Sequence, residues 1–140
     1  MFERFRTTVQ PAWIDYNGHM NDAAYAQALT LANEAFLEQV DLSAAYRERT
    51  GCTMYTVDLH LSYKAEVHAS DTLTARTEVA LLAPRKLQLR TELVRSDGTV
   101  AATAEVLYLH YDQTTGQVVS FSPEQTARLA QWQAQAPAGA

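Results

Sequence analysis

The chain has 140 residues, the length of one ordinary domain, which excludes two independent cores. Apolar residues make up 47% of it and charged residues 19%, a composition that can bury a core and that excludes a disordered chain. Eleven basic against sixteen acidic residues give a net charge of −5, so we expect no nucleic-acid partner, since phosphates are bound through a basic face.

The sequence also predicts the cellular compartment and the domain boundaries. The single cysteine, Cys52, cannot form an internal disulfide, so nothing in the sequence requires an oxidising compartment. No apolar run approaches the roughly 20 residues of a membrane helix, and the first six residues carry charges where a secretory signal is apolar. We expect a cytoplasmic protein with no membrane partner, one domain at 1–136 and a flexible tail at 137–140.

The chain begins with a predicted strand and a polar loop. Phe5, Thr7 and Val9 alternate with polar residues, which is the pattern of a half-buried strand, and Pro11 ends it. Residues 13–21 follow, and their content of Asp, Asn and Gly is typical of a structured loop.

Two helices are predicted next. Apolar residues recur at helical spacing for about 18 residues, and Asn21 or Asp22 is suited to cap the first turn. The apolar stripe consists of Ala24, Ala28, Leu31, Ala32, Ala35 and Val40. Its small side chains let a sheet pack closely on the helix. A short helix near 43–49, ended by Gly51, follows.

The second half of the chain has a period of two and predicts four strands and a terminal helix. The apolar positions expected on the core face are Tyr55, Val57, Leu59, Leu61 and Tyr63, then Leu73, Ala75, Thr77, Val79 and Leu81, then Leu87, Leu89, Thr91 and Leu93. A Ser-Asp-Gly turn at 96–98 leads to the fourth strand at 99–111. Ser122, Pro123 and Gln125 begin the last helix with a capping box. One long helix followed by antiparallel strands is an α+β arrangement.

Several common kinds of site lack their sequence pattern. The histidines His19, His60, His68 and His110 stand at no metal-ligand spacing. No G-x-S-x-G motif surrounds a serine, and no glycine-rich phosphate loop is present. We therefore expect no metal and no cofactor.

The loop at 13–22, Trp-Ile-Asp-Tyr-Asn-Gly-His-Met-Asn-Asp, is the candidate site. It places a carboxylate, amides, an imidazole and aromatic rings before a helix N-terminus. A helix start carries unpaired N–H groups and about half a positive charge, which suits a developing oxyanion. A nearby carboxylate can attack a carbonyl or activate a water molecule. The same residue types also form ordinary capping loops, so composition alone leaves both interpretations open.

Residues 15–21, Asp-Tyr-Asn-Gly-His-Met-Asn, with Tyr25 on the helix, resemble the D-x-x-G-H-[VM]-N…Y signature of the hotdog-fold acyl-CoA thioesterases related to 4-hydroxybenzoyl-CoA thioesterase. The order of elements is similar from Phe2 to about Pro123. The resemblance implies a curved antiparallel sheet wrapped around one long helix, with a short C-terminal helix. It also implies hydrolysis of a short-chain acyl-CoA to a free acid and CoA. Residues 13–20 and 54–57 are similar to the thioesterases of carnitine breakdown, which implies betainyl-CoA as substrate.

The resemblance implies catalytic roles by position. Asp15 matches the family's catalytic aspartate, as nucleophile or as general base, and the backbone N–H groups of Asp22 and Ala23 match those that polarise the thioester carbonyl. Many relatives carry a second acid where this chain has Thr30, and Glu34 lies further along the helix. Asp15 must therefore act without a second acid.

Most of the other candidate contacts have a structural alternative. The expected substrate-binding residues are Trp13, Tyr16, Asn17, His19, Asn21 and Tyr25, and the expected ligands of the CoA phosphates are Arg85 and Lys86. His19 either braces the loop or contacts substrate, and Asn21 either caps the helix or binds. Trp13 and Tyr25 either pack or line the site. The Arg-Lys pair at 85–86 is either a ligand or a solvated turn.

A trimethylammonium head would be bound by aromatic faces and nearby negative charge. The aromatic residues available for this are Trp13, Tyr16, Tyr25, Tyr55 and Tyr63. We also expect a homodimer or tetramer with the site at the subunit interface, because one sheet wrapped on one helix leaves edge strands open. The alternatives are a non-catalytic acyl-CoA-binding or assembly module and, less favoured, a hydratase or dehydratase, which needs a histidine paired with an acid near the helix start.

Overall fold

The computed structural model describes residues 1–134, so the expected tail at 137–140 lies outside the described residues. In chain order the elements are β1 (Arg6–Thr8), a 3₁₀ turn (Pro11–Trp13), α1 (Asp22–Gln39), α2 (Ala44–Thr50), β2 (Cys52–Tyr63), β3 (Thr72–Leu82), β4 (Lys86–Arg95), β5 (Val100–Asp112), β6 (Gln117–Val118) and α3 (Pro123–Ala130). β1 is shorter than the predicted strand, and the two-residue β6 was not predicted. Among residues 1–134, none of the helices has both the length and the apolarity needed to span a membrane.

The strands form one antiparallel sheet in the order β1-β3-β4-β5-β2, with β6 paired to β5. The sheet curls around α1 and buries its inner face against the helix, which confirms the predicted α+β architecture. β2 is the edge strand at the end of this order. The strand at the other end, β1, has three residues, so β2, with twelve, is the longer of the two edge strands.

Helix α1 has the predicted start and length. Asn21 is its N-cap, and the Asn21 Oδ1 atom accepts the Ala24 N–H at 2.9 Å. Larger residues than the predicted alanines carry much of the packing, with Leu29 and Phe36 fully buried between the helix and the sheet. Leu31 was expected in the buried stripe, but it is 41% exposed because it lies on the side of the helix that carries the exposed Glu34 and Glu38.

A bulge in β2 overturns the expected strand face. Thr56 pairs with Tyr108 and Asp58 with Leu107, so Val57 is an extra residue between them. Side chains therefore change face at this point, and Tyr55 lies on the outer face while Leu59 lies on the inner one. The prediction of one shared face for positions 55–63 is wrong.

A second bulge has the same effect in β3. Val79 pairs with Leu89 and Leu81 with Gln88, so Ala80 is the extra residue. Leu81 consequently turns to the outer face, where it is 40% exposed, instead of the core face expected for it.

The predicted turns and caps are present. Gly51 ends α2 in the left-handed conformation with φ 77°. In α3, Ser122 and Gln125 form both hydrogen bonds of the capping box. Local sequence signals therefore define the ends of both short helices.

Candidate active site

The segment before α1 is a tight hairpin. Ile14 and Met20 form an antiparallel bridge across its base. Inside it, Asp15 N–H donates to the His19 carbonyl at 3.0 Å, and Gly18 N–H donates to the Asp15 carbonyl at 3.0 Å. Gly18 adopts φ 85°, which a residue with a side chain rarely takes, so the glycine is required for this turn. The hairpin presents Asp15 in a fixed backbone geometry.

Asn21 fastens this hairpin to the helix. Its backbone N–H and its Nδ2 atom both donate to the Trp13 carbonyl, each at 2.8 Å. Its Oδ1 atom caps Ala24. Met20 N–H donates to the Val67 carbonyl at 2.7 Å, which ties the hairpin to the segment between β2 and β3. Asn21 therefore caps the helix, which is one of the two roles considered for it from the sequence.

Asp15 is partly buried, and within residues 1–134 its carboxylate accepts one hydrogen bond. Its Oδ1 atom accepts the Asn17 N–H at 2.8 Å, which closes an Asx turn. A carboxylate can accept at both oxygens, so this bond leaves the Oδ2 atom for another partner. Asp15 is therefore both a turn residue and a carboxylate available for chemistry.

The first turn of α1 offers backbone donors close to this hairpin. Ala24 N–H is capped by Asn21, and Ala23 N–H donates to the Asp22 Oδ1 atom at 3.0 Å. Within residues 1–134 no acceptor contacts the Asp22 N–H. A carbonyl oxygen arriving at the helix start would meet the Asp22 N–H directly and would have to displace the exposed Asp22 carboxylate from Ala23.

Two tyrosines meet beside the helix start. Tyr25 is 5% exposed, and its hydroxyl donates to the Ala65 carbonyl at 2.8 Å. Tyr63, at the end of β2, packs edge to face on Tyr25 with ring centroids 5.0 Å apart. The Tyr63 hydroxyl donates to the Asp22 carbonyl at 3.2 Å, while 54% of the residue is exposed. Tyr63 thus lines the helix start with a ring that solvent reaches.

A carboxylate and two imidazoles lie on the same side of the hairpin. The Glu66 Oε2 atom is 3.6 Å from the His19 Nε2 atom and 3.8 Å from the His68 Nε2 atom, and the two imidazole rings are 5.5 Å apart. Burial raises the pKa of Tyr25, and the nearby Glu66 carboxylate raises it further. Sequence reasoning gave His68 and Glu66 no role, because only the folded β2–β3 connection brings them to His19.

The other predicted substrate contacts have contrasting surroundings. The Trp13 ring is 4% exposed and packs in the core with Ala28 and Leu73. Tyr16 projects from the hairpin and is 98% exposed, and Asn17 is also exposed. Among the five aromatic residues expected to bind a trimethylammonium head, Tyr25 and Tyr63 contact each other. Tyr55 instead stacks on Tyr111 on the outer face of the sheet.

Thr30 does not replace the missing acid. Its hydroxyl donates to the Ala26 carbonyl at 2.9 Å, within the helix. The residue lines a cavity of about 60 Å³ together with Asn33, Thr56 and Tyr108. Burial raises the pKa of Tyr108 to about 12, so this phenol is neutral at physiological pH. The cavity therefore supplies no carboxylate to the helix start.

Arg85 and Lys86 lie far from the hairpin in the folded chain. They are exposed at the turn into β4, next to a cleft of about 480 Å³ that Leu109 and Ser120 also line. Arg95, at the other end of β4, donates to the Glu66 carbonyl at 2.9 Å. Ten residues of strand span roughly 30 Å. The fold of a single chain therefore does not bring the basic pair and Asp15 together.

No candidate metal centre is found in the described part of the chain. Across residues 1–134, His, Cys, Asp and Glu side chains nowhere form a group of three or more with the geometry to hold a metal ion.

Residues 9–129 match the sequence profile of the thioesterase-like superfamily, so the chain belongs to that superfamily. This confirms the family that the hairpin motif predicted. The sequence is 36% identical over 115 residues to an L-carnitine dehydrogenase/betainyl-CoA thioesterase of Agrobacterium fabrum. That match covers 82% of this chain and 24% of the relative, so the chain spans about a quarter of that protein's length. It is 28% identical over 126 residues to a betainyl-CoA thioesterase of Pseudomonas aeruginosa, covering 89% of this chain and 79% of the relative.

Solved structures confirm the hotdog fold. A Staphylococcus aureus protein determined in complex with CoA superposes with a TM-score of 0.88 at 26% identity, covering 98% of this chain and 90% of that one. A putative thioesterase of Pseudomonas putida superposes with a TM-score of 0.81 at 27% identity, covering 99% of this chain and 92% of that one.

Proposed function

We propose that this chain is an acyl-CoA thioesterase that hydrolyses a short-chain thioester, betainyl-CoA, to the free acid and CoA. The observation that carries the proposal is the Asp15 carboxylate, held on a rigid hairpin that Asn21 fastens to the N-terminus of α1. Membership of the thioesterase-like superfamily supports the reaction, and the names of the two relatives support the acyl group. The proposed compartment is the cytoplasm.

Two routes use the same groups. The N–H groups of Asp22 and Ala23 receive the thioester carbonyl oxygen, which becomes more negative as the carbonyl carbon is attacked. In one route the Asp15 carboxylate attacks that carbon and expels the CoA thiolate, and water then hydrolyses the mixed anhydride. In the other, Asp15 takes a proton from water, whose oxygen attacks the carbon and expels the thiolate. Both routes release the free acid and CoA.

The proposal includes a homodimer, which can associate further into a tetramer. β2 is a long open edge, with Val57 51% and Leu59 45% exposed, so pairing two copies along it would remove both edges. A two-fold axis makes this pairing antiparallel, which sets the Cys52 end of one β2 beside the Tyr63 end of the other.

This arrangement gives the distant basic pair a role. The turn at 85–86 lies at the same end of the sheet as Cys52, because Lys86 pairs with Leu109 and Cys52 with Asp112. In the dimer that turn approaches the hairpin of the other subunit. The partner's Arg85 and the partner's Lys86 would then bind the CoA phosphates, while Asp15 faces the thioester.

The second candidate function is a module that binds acyl-CoA without hydrolysing it, since a fold alone does not determine activity. A panel of acyl-CoAs separates the two: purified protein is mixed with betainyl-CoA, acetyl-CoA, butyryl-CoA and benzoyl-CoA, and release of free thiol is followed. We expect catalytic turnover that is fastest with betainyl-CoA. Tight binding by calorimetry without thiol release from any of the four would establish the binding module and contradict the proposal.

A further inference from the structure

We infer that Tyr63 and Glu66 form the subsite that selects a cationic, quaternary ammonium acyl group. This inference rests on the proposed function and adds the residues that determine its specificity. The two residues flank the start of α1, where the thioester carbonyl would bind, one offering an aromatic face and the other a carboxylate.

Tyr63 is positioned to receive the head of a short acyl group. Its hydroxyl contacts the Asp22 carbonyl at 3.2 Å, so the ring lies beside the first turn of α1. Edge-to-face packing on the buried Tyr25, at 5.0 Å, fixes the ring orientation and leaves 54% of the residue exposed. A quaternary ammonium has no N–H to donate, so an accessible aromatic face is the group that binds it best.

Glu66 supplies negative charge at the same place. Ala65, its neighbour in the chain, accepts the Tyr25 hydroxyl, and Glu66 itself faces His19 of the hairpin. The contacts from Glu66 to His19 and His68, at 3.6 and 3.8 Å, are longer than hydrogen bonds, and 64% of its side chain is exposed. The carboxylate can therefore reorient toward a bound cation.

Three carboxylates belong to the segments that surround the helix start. Asp15 and Asp22 add two carboxylates to that of Glu66. The Arg95 guanidinium donates to the Glu66 carbonyl and is also paired with the Asp97 carboxylate at 2.6 Å. These carboxylates attract a cationic acyl group, whereas a neutral group of equal shape is bound by packing alone.

The test compares betainyl-CoA with its neutral isostere 3,3-dimethylbutanoyl-CoA, in which carbon replaces nitrogen. The ratio of their kcat/KM values measures charge recognition at constant shape. We expect Glu66→Gln to lower this ratio about three- to tenfold, with the neutral substrate changed less than twofold. Tyr63→Leu should lower it by a similar factor, and Tyr63→Phe should keep most of it because the ring remains. The exposed Glu38, at the far end of α1, is the matched carboxylate control, so Glu38→Gln should leave the ratio unchanged.

The outcomes separate this inference from the function on which it rests. A wild-type protein that prefers betainyl-CoA, with the same preference in Glu66→Gln and Tyr63→Leu, overturns the subsite and leaves the thioesterase intact. Equal losses on both substrates also overturn it, since they show a structural role. A wild-type protein that hydrolyses neither thioester overturns the proposed function and the subsite together.

Discussion

Asp15 owes its position to backbone contacts on both sides of it. The Ile14–Met20 bridge closes the hairpin, and the Asx turn to Asn17 fixes the direction of the carboxylate. A carboxylate in a flexible loop would have to be ordered anew for each turnover, whereas this one is already placed. We therefore expect the residues that hold the hairpin to contribute to activity through the position of Asp15.

Asn21 is the residue on which that placement depends most. Asn21→Ala removes the side-chain hydrogen bonds to Trp13 and Ala24, and we expect it to cost about 1–2 kcal/mol of unfolding free energy. Because the hairpin is also released, kcat/KM should fall about tenfold or more. Urea unfolding and initial rates measure the two effects separately.

Ser122, the N-cap of α3, provides the matched control because it caps a different helix outside the proposed site. Ser122→Ala removes the N-cap of α3 and should cost about 1 kcal/mol. It lies outside the proposed site, so kcat/KM should stay within twofold of wild type. Equal effects of the two substitutions on kcat/KM would show that Asn21 acts only through stability.

At the scale of elements, local signals predicted the helices well. The N-caps Asn21 and Ser122 and the left-handed Gly51 are determined by neighbours within four residues, and such signals can be read from the sequence. The same local signals predicted a structured loop before α1, although not that this loop forms a hairpin. Leu31 was wrongly predicted to be buried. The alanines of the apolar stripe are small, so the sequence pattern did not define the centre of the buried face, which lies near Phe36.

The strand faces were predicted correctly along β4 and along β3 up to Val79, and the errors occur only across the two bulges. Apolar residues continue to alternate through Tyr55, Val57 and Leu59, so the sequence carries no mark of the inserted residue. The bulge is set by pairing with β5, more than 40 residues away. Contacts such as that of Glu66 with His19 could not be predicted for the same reason, since they arise from the folded chain path.

At the scale of the whole molecule, the proposed site needs two subunits. We expect the protein to sediment as a dimer or tetramer, and we expect subunits with complementary defects to restore one another. Asp15→Asn subunits lack the carboxylate, and Arg85→Ala/Lys86→Ala subunits lack the basic pair. Each heterodimer contains one site with both parts intact.

The activity that mixing the two variants should restore can be calculated. Co-refolding the two variants in equal amounts makes about half of the dimers mixed, each with one working site of two, so activity should reach about a quarter of wild type. Each variant refolded alone is the control and should be nearly inactive at low substrate concentration. A mixture no more active than the sum of its controls, or an active monomer in sedimentation, would show that each subunit holds a complete site.

The central claim is that the Asp15 carboxylate carries the hydrolysis, and thiol release from betainyl-CoA by wild type and Asp15→Asn tests it most directly. Asparagine keeps an oxygen that can accept the Asn17 N–H, so the unfolding curve should not change. It can neither attack a carbonyl as a carboxylate does nor take a proton, so we predict that kcat falls by about a hundredfold or more. A folded Asp15→Asn variant that turns over within a few-fold of wild type would contradict the account and leave Asp15 as a turn residue.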